Sequence, residues 1–130
     1  MNLHFYYCEL CGKVITVLSD TGIPTDCCGQ AMEELVPNTA DGAGEKHVPV
    51  VTQEGGTVTV RVGSVPHPMT EAHRITWIGL RTAHGFQFKE LEPGDLPVAV
   101  FTVSPATRPE AVYAYCNLHS LWCWEKEAGR

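Results

Sequence analysis

Val58, Val60 and Val62 alternate with Thr57, Thr59 and Arg61, the period of a strand buried on one face. The same period returns where Ile75, Trp77 and Gly79 alternate with Arg74, Thr76 and Ile78. It returns again where Phe86 and Phe88 alternate with Gln87 and Lys89, and where Tyr113 and Tyr115 alternate with Val112 and Ala114. Val98–Val103 is a β-rich run without clean alternation, and Leu121–Trp124 reads as a last strand. Turn signals at Gly55-Gly56, His84-Gly85, Pro93-Gly94 and Pro105 separate these runs. No stretch carries a convincing amphipathic helical period. About seven short strands with regular turns predict an antiparallel β-sandwich of immunoglobulin-like type over residues 47–130.

Residues 1–36 read as a separate small unit. Cys8-Glu9-Leu10-Cys11 precedes a short strand-like run, Val14–Leu18. A turn follows at Ser19-Asp20-Thr21-Gly22, and Cys27-Cys28-Gly29 closes the unit. Four thiolates in two clusters fit a tetrahedral site for iron or zinc. A unit of this size buries too little apolar surface to fold alone, so a bound metal would supply much of its stability. A thioredoxin-like Cys-x-x-Cys would require a βαβ surround, and none is visible. The adjacent pair Cys27-Cys28 also departs from a plain zinc knuckle, where two residues separate the ligands. Residues 37–46 read as a linker and loop made permissive by Gly42 and Gly44, with Glu45 and Lys46 at its end.

Composition narrows the function. The 130 residues carry a formal net charge of −6 and are 44% hydrophobic, enough for a packed core. An acidic chain lacks the basic face a nucleic-acid partner needs, although a local basic spot can still attract a small anion. The first residues, Met1–Tyr7, lack the basic start and long apolar run of a signal peptide. No stretch reaches the ~20 apolar residues of a membrane span. These features predict a cytoplasmic protein. In that reducing compartment its 6 cysteines are metal ligands more readily than disulfides.

A second ligand set lies in the β-rich part. In Tyr115-Cys116-Asn117-Leu118-His119 a thiol and an imidazole stand three residues apart, and a short turn brings both to one side. Three more histidines lie upstream: His47 after Glu45-Lys46, His67 between Pro66 and Pro68, and His73 after Glu71-Ala72. The two prolines stiffen the backbone around His67. Four imidazoles and one thiolate exceed the four ligands zinc usually takes, and suit a square-pyramidal iron with one open position. A lone histidine in a β-domain is more often a hydrogen-bonding residue, and His4 and His84 carry no more than that. Cys123, between Trp122 and Trp124, reads as a reduced packing thiol.

The order Glu45-Lys46-His47, then His67-Pro68-Met69, then His73, then Cys116-Asn117-Leu118-His119 resembles superoxide reductase. Residues 8–28 resemble the small desulforedoxin-like iron domain of the two-iron form, desulfoferrodoxin. The resemblance covers the chain from about Tyr7 to His119 and is weakest in the tail beyond it. It implies two irons, one held by Cys8, Cys11, Cys27 and Cys28, the other by His47, His67, His73, Cys116 and His119. Zinc is the alternative ion at the four-cysteine site. It implies an enzyme that reduces superoxide by one electron to hydrogen peroxide at the ferrous five-ligand centre, with Cys116 opposite the open position. Lys46 would guide superoxide in and order a proton-delivering water, and Glu45 would take the sixth position on the ferric ion. The ordinary reading of both is a solvated loop charge. A rubredoxin-like electron donor and a homodimer are further implications. Two other readings use the same residues: an electron carrier working through the four-cysteine centre, and a zinc-stabilised binding module.

Overall fold

In a computed structural model residues 3–38 and 47–126 are described, and their strands pair antiparallel throughout. The chain divides into two compact units, Met1–Val36 and Pro37–Arg130. Among the described residues no helix is long and apolar enough to cross a membrane.

The first unit has five short strands: β1 (Phe5–Tyr7), β2 (Val14–Thr16), β3 (Asp26–Cys27), β4 (Gln30–Ala31) and β5 (Glu33–Leu35). A sheet of order β2-β1-β5 stands beside the β3-β4 hairpin. Among the described residues its buried apolar ones are Phe5, Cys8 and Met32, while Leu18 and Ile23 are exposed. So small a core offsets little of the conformational entropy of ordering the unit.

The second unit has the expected seven strands in two sheets: β6 (Pro49–Glu54), β7 (Thr57–Val62), β8 (Ile75–Thr82), β9 (Gly85–Glu90), β10 (Val98–Thr102), β11 (Ala111–Cys116) and β12 (Ser120–Glu125). One sheet has the order β10-β7-β6, the other β12-β11-β8-β9. The fourth strand therefore pairs with the third, not with the fifth as in constant-type immunoglobulin domains. Val58, Val60, Val62, Ala99 and Phe101 from one sheet meet Ile75, Ile78, Leu80, Val112, Ala114 and Cys116 from the other in a single core. That shared core makes the unit a sandwich.

Three local features depart from the sequence pattern. Strand β6 has no strong period of its own, and it forms because the Gly55-Gly56 turn folds it back along β7. Val98–Thr102 does alternate once folded: Ala99 and Phe101 face the core while Val100 is exposed. In β8 the sequence puts Ile75, Trp77 and Gly79 on one face, but the core takes Ile75, Ile78 and Leu80. A β-bulge is the cause, since Tyr115 pairs with Trp77 but Cys116 pairs with Ile75. One extra residue, Thr76, shifts the parity of the strand. The bulge lies next to Cys116, at the end of the sandwich where the histidines gather.

Candidate metal centres

In the first unit Cys8 and Cys11 lie on the tight turn between β1 and β2, closed by the Gly12 amide donating to the Cys8 carbonyl at 2.7 Å. Cys27 ends β3, and Cys28-Gly29 forms the two-residue turn into β4 with φ of 54° and 79°. Positive φ at both central residues is the type I′ pattern. It reverses the chain so sharply that two adjacent cysteines present their sulfurs to one point. The Cys11 and Cys27 sulfurs are 3.6 Å apart and those of Cys27 and Cys28 3.9 Å. All four sulfurs lie within 4.8 Å of one another. Sulfurs placed tetrahedrally at about 2.3 Å from an ion are about 3.8 Å apart, so the set fits a single metal.

Protonation supports the same fit. Backbone amides, that of Cys11 first, bring the Cys8 thiol down to about 7. Hydrogen bonding to Cys8 and then Cys11 pushes Cys27 up to about 12, and Cys28 is also raised. Clustered sulfurs share protons when nothing else neutralises them. A cation is what allows all four to be thiolates together.

In the second unit His67 lies on the β7–β8 connection and is buried. Its Nδ1–H donates to the Pro68 carbonyl at 2.7 Å, which leaves Nε2 as the lone-pair nitrogen. That Nε2 is buried without a hydrogen-bond partner, as is Nε2 of His73. Burial first, then the neighbouring imidazoles, lowers the His67 pKa to about 4, against the weaker opposing effect of Pro68. The ring therefore stays neutral and able to bind metal. His73 ends a tight turn in which its amide donates to Thr70 Oγ1 at 3.1 Å and the Thr70 amide donates to its carbonyl at 3.0 Å.

Cys116 and His119 come from the β11–β12 turn. The thiol is fully buried in the core, and burial raises its pKa against the opposing backbone amides of Leu118 and His119. Its sulfur is 3.7 Å from His119 Nδ1, and His119 Nδ1 is 3.1 Å from His47 Nε2. Ligands at right angles, about 2.1 Å from an ion, are about 3.0 Å apart, so the second distance is that of neighbouring ligands. The four rings form a closed cycle in the order His47, His67, His73, His119, with successive centroids 4.8, 4.8, 5.1 and 4.8 Å apart. One ligand atom from each of the five residues lies within 4.8 Å of every other. Three histidines thus face the centre through Nε2 and His119 through Nδ1. Buried, unpartnered imidazole nitrogens gathered around a thiol fit a borderline transition-metal ion.

The remaining candidates lie elsewhere. His4 pairs with Glu34 at 2.7 Å on the surface of the first unit, and His84 is exposed on the β8–β9 turn. Cys123 is buried, its Sγ 3.4 Å from the Trp124 carbonyl, and burial above all pushes its pKa up to about 12. Glu45 and Lys46 lie outside the described residues.

Two residues at the site are not singled out by the motifs. Asn117 accepts from the Arg74 amide at 2.9 Å and donates to the Ala72 carbonyl at 3.0 Å, which ties the Cys116–His119 turn to the His73 turn. Trp122 touches two of the candidate ligands, His47 and His119. The position of Asn117 inside the Cys-Asn-Leu-His turn is a signal available in the sequence. For Trp122 the face of β12 has to be known first.

Comparison with known proteins agrees with both units. The family model described as desulfoferrodoxin matches residues 39–125, and that of the desulfoferrodoxin N-terminal domain matches residues 2–35. A desulfoferrodoxin of Syntrophotalea carbinolica is 47% identical over 125 residues, spanning 95% of this chain and 97% of its own. A superoxide reductase of Pyrococcus abyssi is 35% identical over 108 residues, 65% of this chain and 88% of its own. The crystal structure of the superoxide reductase from Treponema pallidum superposes with a TM-score of 0.82 at 32% identity, covering 95% of this chain and 98% of that one.

Proposed function

The chain belongs to the desulfoferrodoxin family, and from that premise we propose that it reduces superoxide to hydrogen peroxide at the five-ligand centre of the sandwich. The observation that carries the proposal is the closed cycle of four imidazoles with the Cys116 sulfur beside it. Five ligands are one short of an octahedron, which fits a site built to receive one more small molecule.

His47, His67, His73, His119 and Cys116 would hold one iron, and Cys8, Cys11, Cys27 and Cys28 would hold the other. The ferrous iron of the five-ligand centre, when bound, supplies the single electron that superoxide accepts. The four imidazoles bind as neutral groups and so leave the site cationic overall, which draws in an anion. Cys116 is the one anionic ligand, and its thiolate favours the oxidised form and thereby electron donation. Its burial in the core keeps water from the sulfur and holds the ligand without side-chain freedom. Lys46, next to His47 in sequence, is the cation that steers superoxide and holds a water as proton source. Glu45, two residues before His47 in sequence, would offer a carboxylate as a further oxygen ligand. One superoxide, one electron and two protons give one hydrogen peroxide, and an external donor of rubredoxin-like kind returns the electron. We place the activity in the cytoplasm and in a homodimer.

The test is anaerobic mixing of the ferrous protein with a pulse of superoxide, with iron measured on the same sample. Rapid oxidation of the five-ligand centre, with one hydrogen peroxide formed per superoxide, is expected. An iron-loaded sample that does not react would remove the proposal.

A further inference from the structure

We infer that Trp122 is a positioning residue that sets two of the five ligands of the sandwich centre at once. The inference rests on the metal-centre reading above and extends it beyond the ligands. The Trp122 ring lies nearly parallel to that of His47, with centroids 4.5 Å apart and an interplanar angle of 16°. The four histidine pairs of the cycle are edge-on instead, at 66° to 82°. The same indole donates its Nε1–H to the His119 carbonyl at 2.9 Å. One rigid side chain therefore covers the face of one ligand and holds the backbone of another. His47 and His119 are the pair whose metal-facing nitrogens are 3.1 Å apart.

The other three ligands are held by contacts of their own. His67 is buried and hydrogen-bonded through Nδ1, His73 sits in a closed turn, and Cys116 is locked in the core. His119 is exposed, and His47 precedes β6 at the edge of the sandwich. Trp122 itself is well fixed, because it lies within β12, paired to Ala114 on one side. On the other side Asn38 bridges to it, with the Asn38 amide donating to the Leu121 carbonyl at 2.9 Å and the Cys123 amide to the Asn38 carbonyl at 2.8 Å. Groups that orient metal ligands typically change metal affinity by about 10–100-fold when removed.

Three variants of the full-length protein separate this from a general packing effect. Trp122→Leu removes both the stacked face and the N–H donor. Trp122→Phe keeps an aromatic face but loses the donor. Trp124→Leu removes a tryptophan of the same strand that packs against the core. Each is loaded with ferrous iron alone, and binding at the two centres is followed by competition with a chelator and by their separate visible absorption after oxidation. The melting temperature of the metal-free form is measured alongside. Trp122→Leu is expected to lose at least ~10-fold in iron affinity at the five-ligand centre and to shift its ferric spectrum, with the four-cysteine centre unchanged. Trp122→Phe is expected to lie between it and the wild type, and Trp124→Leu to lower the melting temperature without moving the spectrum. The inference is overturned if Trp122→Leu binds within about twofold of wild type, or if affinity in all three variants simply follows melting temperature. Should the wild type itself bind no iron at the five-ligand centre, it is the underlying metal-centre reading that fails.

Discussion

Ser120 follows His119 directly and has a φ of 69°, in the left-handed region that favours glycine. The strained residue lets β12 start at once after the turn, so that His119 and Trp122 stand at opposite ends of one hydrogen bond. Ser120→Gly relieves left-handed strain of about 1–2 kcal/mol per residue. Glycine's extra freedom in the unfolded chain costs about 0.4–1 kcal/mol in return, for a net stabilisation of roughly 0.5–1 kcal/mol. Urea denaturation of the metal-free protein checks it, and a loss of stability would mean that the serine side chain does more than occupy the turn. His67 gives a second residue-level expectation. Its pKa is depressed from 6.5 to about 4, so the folded state keeps it neutral where the unfolded chain takes up a proton. The stability this contributes is complete above about pH 6.5 and is lost as pH falls through about 4. In metal-free protein the stability gap between wild type and His67→Gln should therefore shrink across that window. A gap independent of pH would show that burial does not hold the ring neutral.

The elements matter through what their ends present. Neither the β7–β8 connection nor the β11–β12 turn holds all the candidate ligands, and Asn117 links the two. Its amide satisfies one backbone donor and one backbone acceptor of the His73 turn, a pairing that an aliphatic side chain cannot replace. Asn117→Ala should lower iron affinity at the five-ligand centre by roughly 10-fold while leaving the four-cysteine centre intact, as chelator competition would report. Unchanged affinity would mean that the two turns hold their positions independently. The bulge at Thr76 works at the same scale. It brings Cys116 opposite Ile75, so that the thiol joins the core and the neighbouring Tyr115 stacks on Trp77 outside it.

At the scale of the whole molecule the two units differ in what stabilises them. Among the described residues the sandwich has a core of eleven buried residues drawn from both sheets, whereas the first unit buries Phe5, Cys8 and Met32. Stripping both metals should therefore unfold residues 1–36 and leave the sandwich folded. Limited proteolysis of the stripped protein would then cut within the first unit and spare a fragment containing β6 to β12. A first unit that resisted protease without metal would show that its small core suffices.

Much of this was open to reading in the chain itself. Alternation marked most strands of the sandwich, because a half-buried strand must place apolar residues at every second position. The cysteines and histidines stood out by type and spacing, since few other roles favour such side chains in such numbers. Family resemblance supplied their grouping into two centres. Local pattern could not supply the pairing of strands, and so the β8 bulge, the face of β12 and the support from Asn117 and Trp122 were hidden. Each depends on which residue of one strand lies opposite which residue of another, far away along the chain. The amino-acid order determined which atoms could bind a metal. Only long-range strand register decided which of them share a centre within 4.8 Å and which neighbours hold them there, because burial and hydrogen bonding are settled between strands and not along them.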